Sequence, residues 1–306
     1  MKITAVVVTY NRFELLQKSI ARLRQQPDLS EIIVVNNGST DGTAPWLDLQ
    51  SGLHVIHQDN VGGSGGFYTG IQAAYEGGAS WIWCMDDDVF PQTDCLAKLL
   101  QVVRQKASAD KPLGILSPRR MMAGRVFTHE FCQYNFTGAF ASMHGKKLRG
   151  NETEPTPIVG CDFEGPFISR EVVEKIGLPN KDLFIFCDDT DYCLRAHQAG
   201  FGLMYVPEAL MDKHQFFNND TWTTRNQKKK WKRFYQIRNE AYLNHHYGQT
   251  WGVRYLRSWI GVIGYVLPAV LSMPFTKAWR WKDLSMLWEA YHDGIAERLG
   301  KRTKPF

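Results

Sequence analysis

Three consecutive aspartates, Asp86-Asp87-Asp88, directly follow the apolar run Trp81-Ile82-Trp83-Cys84-Met85. Alternate side chains of an extended chain point the same way, so Asp86 and Asp88 face one side and can share a hard cation. Such a cation bridges two phosphates and stabilises a nucleoside diphosphate as a leaving group. A solvated acidic turn capping a helix from near Thr93 accounts equally well for the triplet taken alone. A second candidate is Asn60-Val61-Gly62-Gly63-Ser64-Gly65-Gly66-Phe67, whose backbone N–H groups can approach a ligand closely at the phosphate-favouring start of a helix. A third is Cys187-Asp188-Asp189-Thr190-Asp191, between the aromatic run Leu183-Phe184-Ile185-Phe186 and a helical stretch. Carboxylates beside apolar surface tend to hold their protons and suit a general base. Asp191 or Thr190 is expected to cap that helix while another aspartate does chemistry. His214, in Asp212-Lys213-His214-Gln215-Phe216, reads by itself more readily as a satisfied core histidine than as a metal ligand.

The elements around these residues alternate. Ile3 to Thr9 is a Val- and Ile-rich strand, and Phe13 to Gln25 carries Leu15, Leu16, Ile20 and Leu23 at helical spacing. Glu31 to Val35, Ala44 to Gln50, Leu53 to Gln58, Ile71 to Glu76 and Trp81 to Met85 continue the β-α pattern. This predicts an α/β domain with a mostly parallel sheet flanked by helices, whose ligands collect at the carboxyl ends of the strands. Asn36-Asn37-Gly38-Ser39, the asparagine-glycine run and the aspartate triplet all fall at those ends. The first strand has no glycine loop and the run is not GxGxxG, which argues against a nicotinamide-dependent enzyme. From Leu113 to Pro157 the pattern weakens to an irregular region with two strands. Glu171 to Ile176 and Tyr192 to Ala199 read as short helices. Past residue 220 the chain becomes basic, aromatic and helical.

Composition narrows the class. With 306 residues, 44% hydrophobic and 13% aromatic, the chain can bury a large core. A net charge of +5, from 36 basic and 31 acidic residues, is too small and dispersed for a nucleic-acid partner. Six cysteines without a CxxC pair read as buried thiols of a reducing compartment. The polar turn at Thr9-Tyr10-Asn11-Arg12 lacks the pattern of a signal peptide, so a cytoplasmic location is expected.

Over about residues 1 to 245 the order and spacing of these motifs resemble family 2 glycosyltransferases of the GT-A fold. Thr9, Tyr10, Asn11 and Arg12, with Asn36 and Asn37, resemble that family's nucleotide-binding loops, although many members carry an aspartate at the position of Asn36. Asp86 and Asp88 match its metal-binding pair. Gly160 to Arg195, with Gly165 and Asp188-Asp189, is similar to its acceptor-side segment. Tyr235-Gln236-Ile237-Arg238-Asn239 is similar to a motif near the end of its catalytic domain. The resemblance implies an inverting, metal-dependent transferase with Asp189 as the base. Asp188 and Gly165 would then lie near the acceptor. Mn2+ or Mg2+ would be held by Asp86, Asp88 and His214. The donor would be bound by the two nucleotide loops together with Asn60, Gly62, Gly63, Gly65, Gly66, Asp86, Asp87 and Arg238. Asp188-Asp189, the triplet and the glycine run look most like galactofuranosyltransferases using UDP-galactofuranose, with rhamnosyltransferases using dTDP-rhamnose as near neighbours. Phe67 and Trp83 are expected to line the donor pocket. The acceptor expected is a glycan on a polyprenyl diphosphate in bacterial surface-polysaccharide synthesis. A sugar-nucleotide-binding subunit without turnover is the alternative, disfavoured by the intact acidic groups.

The expected division is a catalytic domain over 1–220, with a donor half to 110 and an acceptor half from 111, followed by a helical segment over 221–306. The charge-free run Trp259 to Phe275 and the basic stretch from Lys228 to Arg233 predict peripheral membrane contact. Trp281, Leu284, Leu287, Trp288, Tyr291, Ile295 and Leu299 predict an amphipathic helix for lipid, for the catalytic domain or for a homo-oligomer interface.

Overall fold

A computed structural model describes residues 1–106, 111–216, 222–275 and 279–302. The side chains of Lys228, Lys229 and Lys230 lie outside the described part. The chain forms two compact units. The first comprises Met1–Gln133, Lys146–Lys181 and Asp189–Gln215, and the second Tyr134–Gly145, Asp182–Asp188 and Phe216–Phe306. Two stretches inside the expected 1–220 span thus pack with the helices of the second unit.

In the first unit, β1 (Ile3–Thr9), β2 (Glu31–Asn37), β3 (His54–Gln58) and β4 (Trp81–Asp86) form a parallel block, crossed by α1 (Phe13–Leu23), α2 (Thr43–Asp48) and α3 (Gly62–Glu76). β1 is wholly buried, as its unbroken β-branched run requires of a strand covered on both faces. The chain then turns through β5 (Val89–Pro91), α4 (Cys95–Lys106), β6 (Leu113–Met122), β7 (Arg125–Phe127), β8 (Thr156–Ile158) and β9 (Phe167–Ser169). After α5 (Arg170–Ile176) and α6 (Asp188–Gln198), β10 (Gly202–Lys213) completes a ten-stranded mixed sheet. Its order is β3-β2-β1-β4-β9-β6-β10-β5, with β7 beside β6 and β8 beside β10. The short β9 runs antiparallel to both β4 and β6 and joins the parallel block to the rest of the sheet.

β10 is the longest strand, yet its sequence did not announce it. Pro207 interrupts the pattern, and the register against β6 shifts between Val206 and Leu210, the kind of irregularity that admits a proline within a sheet. Two cores lie on the two faces, one with Val6, Val8, Ile33 and Ile71, the other with Ala5, Val7, Leu16 and Trp83. All six cysteines are free thiols.

The second unit is built on α7 (Trp222–Tyr247), a π-helical turn at Gly252–Arg257 that continues into α8 (Ser258–Ser272), and α9 (Trp281–Ile295). Phe234, Tyr235, Ile237 and Ala241 of α7 pack with Val262 and Ala269 of α8 and with Leu284, Leu287, Ala290 and Tyr291 of α9. Apart from the exposed Trp281, the apolar stripe expected on α9 is therefore spent on its own unit's core.

Candidate active site

β4 pairs with β1 so that Asp86 stands opposite Val8, which sets the triplet at the carboxyl end of the parallel block. The ligand oxygens of Asp86, Asp88 and Glu164 all lie within 4.8 Å of one another. Glu164 arrives from the chain leading into β9. Gly165 donates its N–H to Cys84 O at 2.9 Å, Cys84 donates to Pro166 O at 2.9 Å, and the Trp83 indole N–H donates to Gly165 O at 2.9 Å. Gly165 has φ +115°, and a Cβ there would meet Met211 Sδ at 2.5 Å. The residue at 165 must therefore be glycine for the backbone to turn Glu164 toward Asp86. Gly165 is buried within this turn.

The trio is short of positive charge. Asp88 Oδ1 is buried without a hydrogen-bond partner among the described residues, while its Oδ2 faces Arg12 Nη1 at 3.3 Å and Lys213 Nζ at 3.7 Å. Glu164 is paired with Lys213 at 2.6 Å and with the fully buried Arg120 at 2.5 Å. Arg120 also pairs with Glu130 and Asp162, both at 2.7 Å. Asp86, Asp87, Asp88, Glu130, Asp162 and Glu164 thus share the permanent cations Arg12, Arg120 and Lys213. Burial first, then the charges of Asp88, Glu164 and Asp87, hold the Asp86 carboxyl well above the usual range, against the pull of Arg12. An orphaned carboxylate oxygen in an oxygen-only cluster with excess negative charge fits a hard divalent cation such as Mn2+ or Mg2+.

His214 is not part of that trio. Its backbone N–H donates to Asp88 O at 2.9 Å, and the residue is exposed at the end of β10. Among the described residues, Glu164 is the third group that meets Asp86 and Asp88. No signal of spacing marked Glu164, because β9 brings it to the triplet from 76 residues beyond Asp88.

Asp87 turns the other way. Thr9 Oγ1 donates to its Oδ2 at 2.7 Å and Arg12 Nη1 to its Oδ1 at 2.9 Å. Burial pushes Asp87 up to about 6, with Arg12 and Thr9 opposing. Asp87 and Thr9, both buried, fasten the loop after β1. Asparagines tie the neighbouring loops to it. Asn11, at φ +51°, receives Thr40 N–H on its Oδ1 at 2.7 Å and donates its own N–H to Ser39 Oγ at 3.0 Å. Asn36 Oδ1 accepts from Ser39 N–H at 3.1 Å, and its amide nitrogen meets His57 Nδ1 at 2.9 Å. Asn37 donates to Gly62 O at 2.9 Å and accepts from Val61 N–H at 3.2 Å, while Asn60 Oδ1 accepts from Gly62 N–H at 3.0 Å. Tyr10 remains exposed above this framework.

The glycine run opens α3, which begins at Gly62 and takes in the run from there. A Cβ at Gly66 would stand 2.4 Å from Val8 Cγ1, one at Gly70 2.2 Å from Val6 Cγ1, and one at Gly65 2.5 Å from Val61 Cγ2. Gly65 and Gly66 thus permit close packing of α3, whereas a Cβ at Gly63 would meet nothing within 4 Å. Phe67 and Trp83 are likewise core residues, Phe67 lying 4.8 Å from Phe163 between ring centroids.

The second acidic pair opens α6. Phe184, Phe186 and Cys187, just before it, all lie in the left-handed region with φ of 65° to 69°. Such backbone persists only where its surroundings hold it. Asn239 Nδ2 donates to Leu183 O at 3.0 Å, Ile185 O at 2.8 Å and Phe186 O at 2.9 Å, and Arg238 Nη2 donates to Leu183 O at 2.9 Å. The remaining nitrogens of buried Arg238 go to Asn239 Oδ1 and Gly300 O, and burial brings its guanidinium down to about 10. Arg238 thereby holds this turn in place. Asp189 is half-buried in the first turn of α6, where the helix N-terminus favours negative charge, and its Oδ1 accepts from Thr190 N–H at 2.6 Å. Asp191 is buried in the first turns of the helix and paired with Arg195 at 3.0 Å.

Residues 4–177 match Glycosyl transferase family 2, and the chain belongs to that family. It is 28% identical over 264 residues to a galactofuranosyltransferase of Mycolicibacterium smegmatis, covering 79% of this chain and 82% of that one. It is 33% identical over 131 residues to the undecaprenyl-phosphate mannosyltransferase of Micrococcus luteus, covering 41% of this chain and only 51% of that protein's length. Among solved structures, GalNAc-T7 with UDP, GalNAc and Mn2+ superposes with a TM-score of 0.56 at 14% identity, covering 85% of this chain and 54% of that one. At that identity the likeness is one of fold, a GT-A arrangement.

Proposed function

We propose that the chain transfers galactofuranose from UDP-galactofuranose to a glycan acceptor carried on a polyprenyl diphosphate, with inversion at the anomeric carbon. The observation that carries a sugar-nucleotide transferase is the convergence of Asp86, Asp88 and Glu164 around the unpartnered Oδ1 of Asp88. The galactofuranose assignment is supported by the similarity to the M. smegmatis enzyme across most of both chains.

In this reading the trio would hold Mn2+ or Mg2+, whose charge stabilises a departing diphosphate. Arg12 and Lys213 stand beside the trio as fixed cations for the same phosphates. Asp189 accepts the proton of the acceptor hydroxyl as its oxygen bonds to the anomeric carbon, and the bond to the diphosphate breaks with its electron pair leaving on UDP. Asp188 would lie on the acceptor side. Arg238 and Asn239 fix the turn leading into α6. The reaction belongs at the cytoplasmic face, where nucleotide sugars and lipid-linked acceptors meet.

The test incubates the protein with Mn2+, a galactose-terminated acceptor and each donor in turn, and follows nucleoside diphosphate release. Turnover with UDP-galactofuranose is expected. Turnover with dTDP-rhamnose alone would overturn the donor assignment and leave the metal and base assignments standing, and donor binding without any turnover would favour a binding subunit.

A further inference from the structure

We infer that α8 lies in the plane of a membrane and seats its solvent face on an anionic lipid surface, an inference that rests on the lipid-linked acceptor proposed above. Between Trp251 and Trp281 large apolar residues are exposed in unusual number. Trp251 is 69% exposed, Leu267 55%, Leu271 63%, Phe275 87% and Trp281 74%. Along α8 and just beyond it, Ile260, Gly264, Leu267, Leu271 and Phe275 recur at steps of three and four and form one exposed stripe. Burying such a side chain contributes about 1.5–3 kcal/mol, so a continuous stripe left in water marks a surface made for a partner.

The opposite face settles the orientation. Val262 and Ala269 are buried, and Tyr265, Val266 and Val270 pack against the cluster of Phe234, Leu284 and Leu287. The helical stretch Gly252–Ser272 is long and apolar enough to cross a bilayer. A helix with protein along one side and an apolar stripe along the other is nevertheless built to float at an interface. Pro268 adds a second reason, because it has no N–H for the carbonyl of Gly264, which lies on the exposed stripe. That carbonyl can be hydrated at head-group depth, whereas inside hydrocarbon an unsatisfied backbone group costs several kcal/mol.

Charge selects lipid over a second copy of the chain. From Gly248 to Lys282 the sequence holds no acidic residue and five basic ones, Arg254, Arg257, Lys277, Arg280 and Lys282. Arg254 is exposed before α8, and Arg280 and Lys282 are exposed after it beside Trp281. Tryptophans and cations at both ends of an apolar stripe match the head-group zone of a bilayer containing acidic lipids. Asp283, which pairs with Arg280 at 3.7 Å, is buried, so a two-fold contact through the same stripe would oppose cation to cation with no acid within that stretch to answer it. α9, the other candidate for lipid, has its apolar face buried beyond Trp281 at its start.

The experiment floats the full chain with vesicles of phosphatidylcholine alone and with phosphatidylglycerol added, at low and high salt. Flotation on the mixed vesicles at low salt is expected, weakened by salt and by omission of the acidic lipid. Leu267→Glu/Leu271→Glu, at positions already exposed, should lower the vesicle-bound fraction about tenfold or more. Its turnover with a soluble galactose-terminated acceptor should match that of the unaltered chain. Absence of flotation by the unaltered chain, or equal flotation by the double variant, overturns the inference. So does a dimer in sedimentation velocity that the double variant converts to monomer, which would assign the stripe to a second copy. Turnover of the soluble acceptor is read separately, so loss of the transferase reading and loss of the membrane reading are distinguishable.

Discussion

Arg120 Nη1 lies 2.5 Å from Glu164 Oε2, and Lys213 Nζ lies 2.6 Å from the other oxygen of the same carboxylate. Arg120 is 1% exposed and also holds Glu130 and Asp162, so the direction of Glu164 is fixed by a buried network before any ligand arrives. Pre-set ligands of this kind are what a metal site on a rigid sheet requires.

The proposed ligand set is therefore open to a direct comparison. Glu164→Gln should weaken Mn2+ binding in the presence of UDP by about 10- to 100-fold, read by electron paramagnetic resonance or titration calorimetry. His214→Ala should cost less, because the histidine meets Asp88 through its backbone. The reverse ranking would restore the histidine as third ligand. Activity should disappear in excess chelator and return with manganese or magnesium, and full activity in chelator would remove the metal from the mechanism.

Asp189→Asn keeps the shape of the side chain and removes its ability to take a proton. Turnover should fall by about two orders of magnitude or more while UDP affinity stays near its original value. Asp188→Asn should act mainly on the Michaelis constant for acceptor. Loss of UDP affinity on changing Asp189 would move the acidic pair to the donor site.

Arg238→Lys separates two roles. A lysine cannot reproduce the several contacts that the guanidinium makes to Asn239, Leu183 and Gly300. Unfolding free energy should drop by about 1–3 kcal/mol, and kcat should fall with the loosened turn before α6, while the Kd for UDP is unchanged. A Kd raised tenfold or more would put the arginine on the donor.

The glycines of α3 should differ from one another. Gly66→Ala drives a Cβ against Val8, a stiff residue of a buried strand, and should lower the denaturation midpoint by an amount equivalent to about 1–3 kcal/mol. Gly63→Ala meets open space and should be neutral or stabilising by up to about 1 kcal/mol. Equal effects at the two positions would show that close packing of α3 on β1 is not what those glycines serve.

The β-α alternation, the placement of Asp86-Asp87-Asp88 at a strand end and the acidic pair at the start of a helix were legible from local pattern. Side-chain period and the burial of β-branched runs are properties of neighbouring residues, and they reported β1 to β4 within a few positions. β10 escaped because Pro207 breaks that local pattern at a bulge which only pairing with β6 makes tolerable. The length of α3 escaped for a related reason. Glycine weakens a helical pattern read locally, so the helix was expected only from Ile71, whereas Gly66 and Gly70 lie in α3 close against Val8 and Val6.

The sequence by itself determined which residue types were available for metal, phosphate and proton chemistry, and that they gather at the carboxyl ends of parallel strands. The tertiary structure alone decided that Glu164 completes the trio, that Asp87 and Arg238 hold backbone in place, and that α8 rather than α9 keeps its apolar face outside. Each of these depends on strand order or helix packing across long stretches of chain. β9 sits between β4 and β6 because hydrogen-bonding groups and apolar faces must be satisfied over the whole sheet at once, a condition that no short window of residues contains.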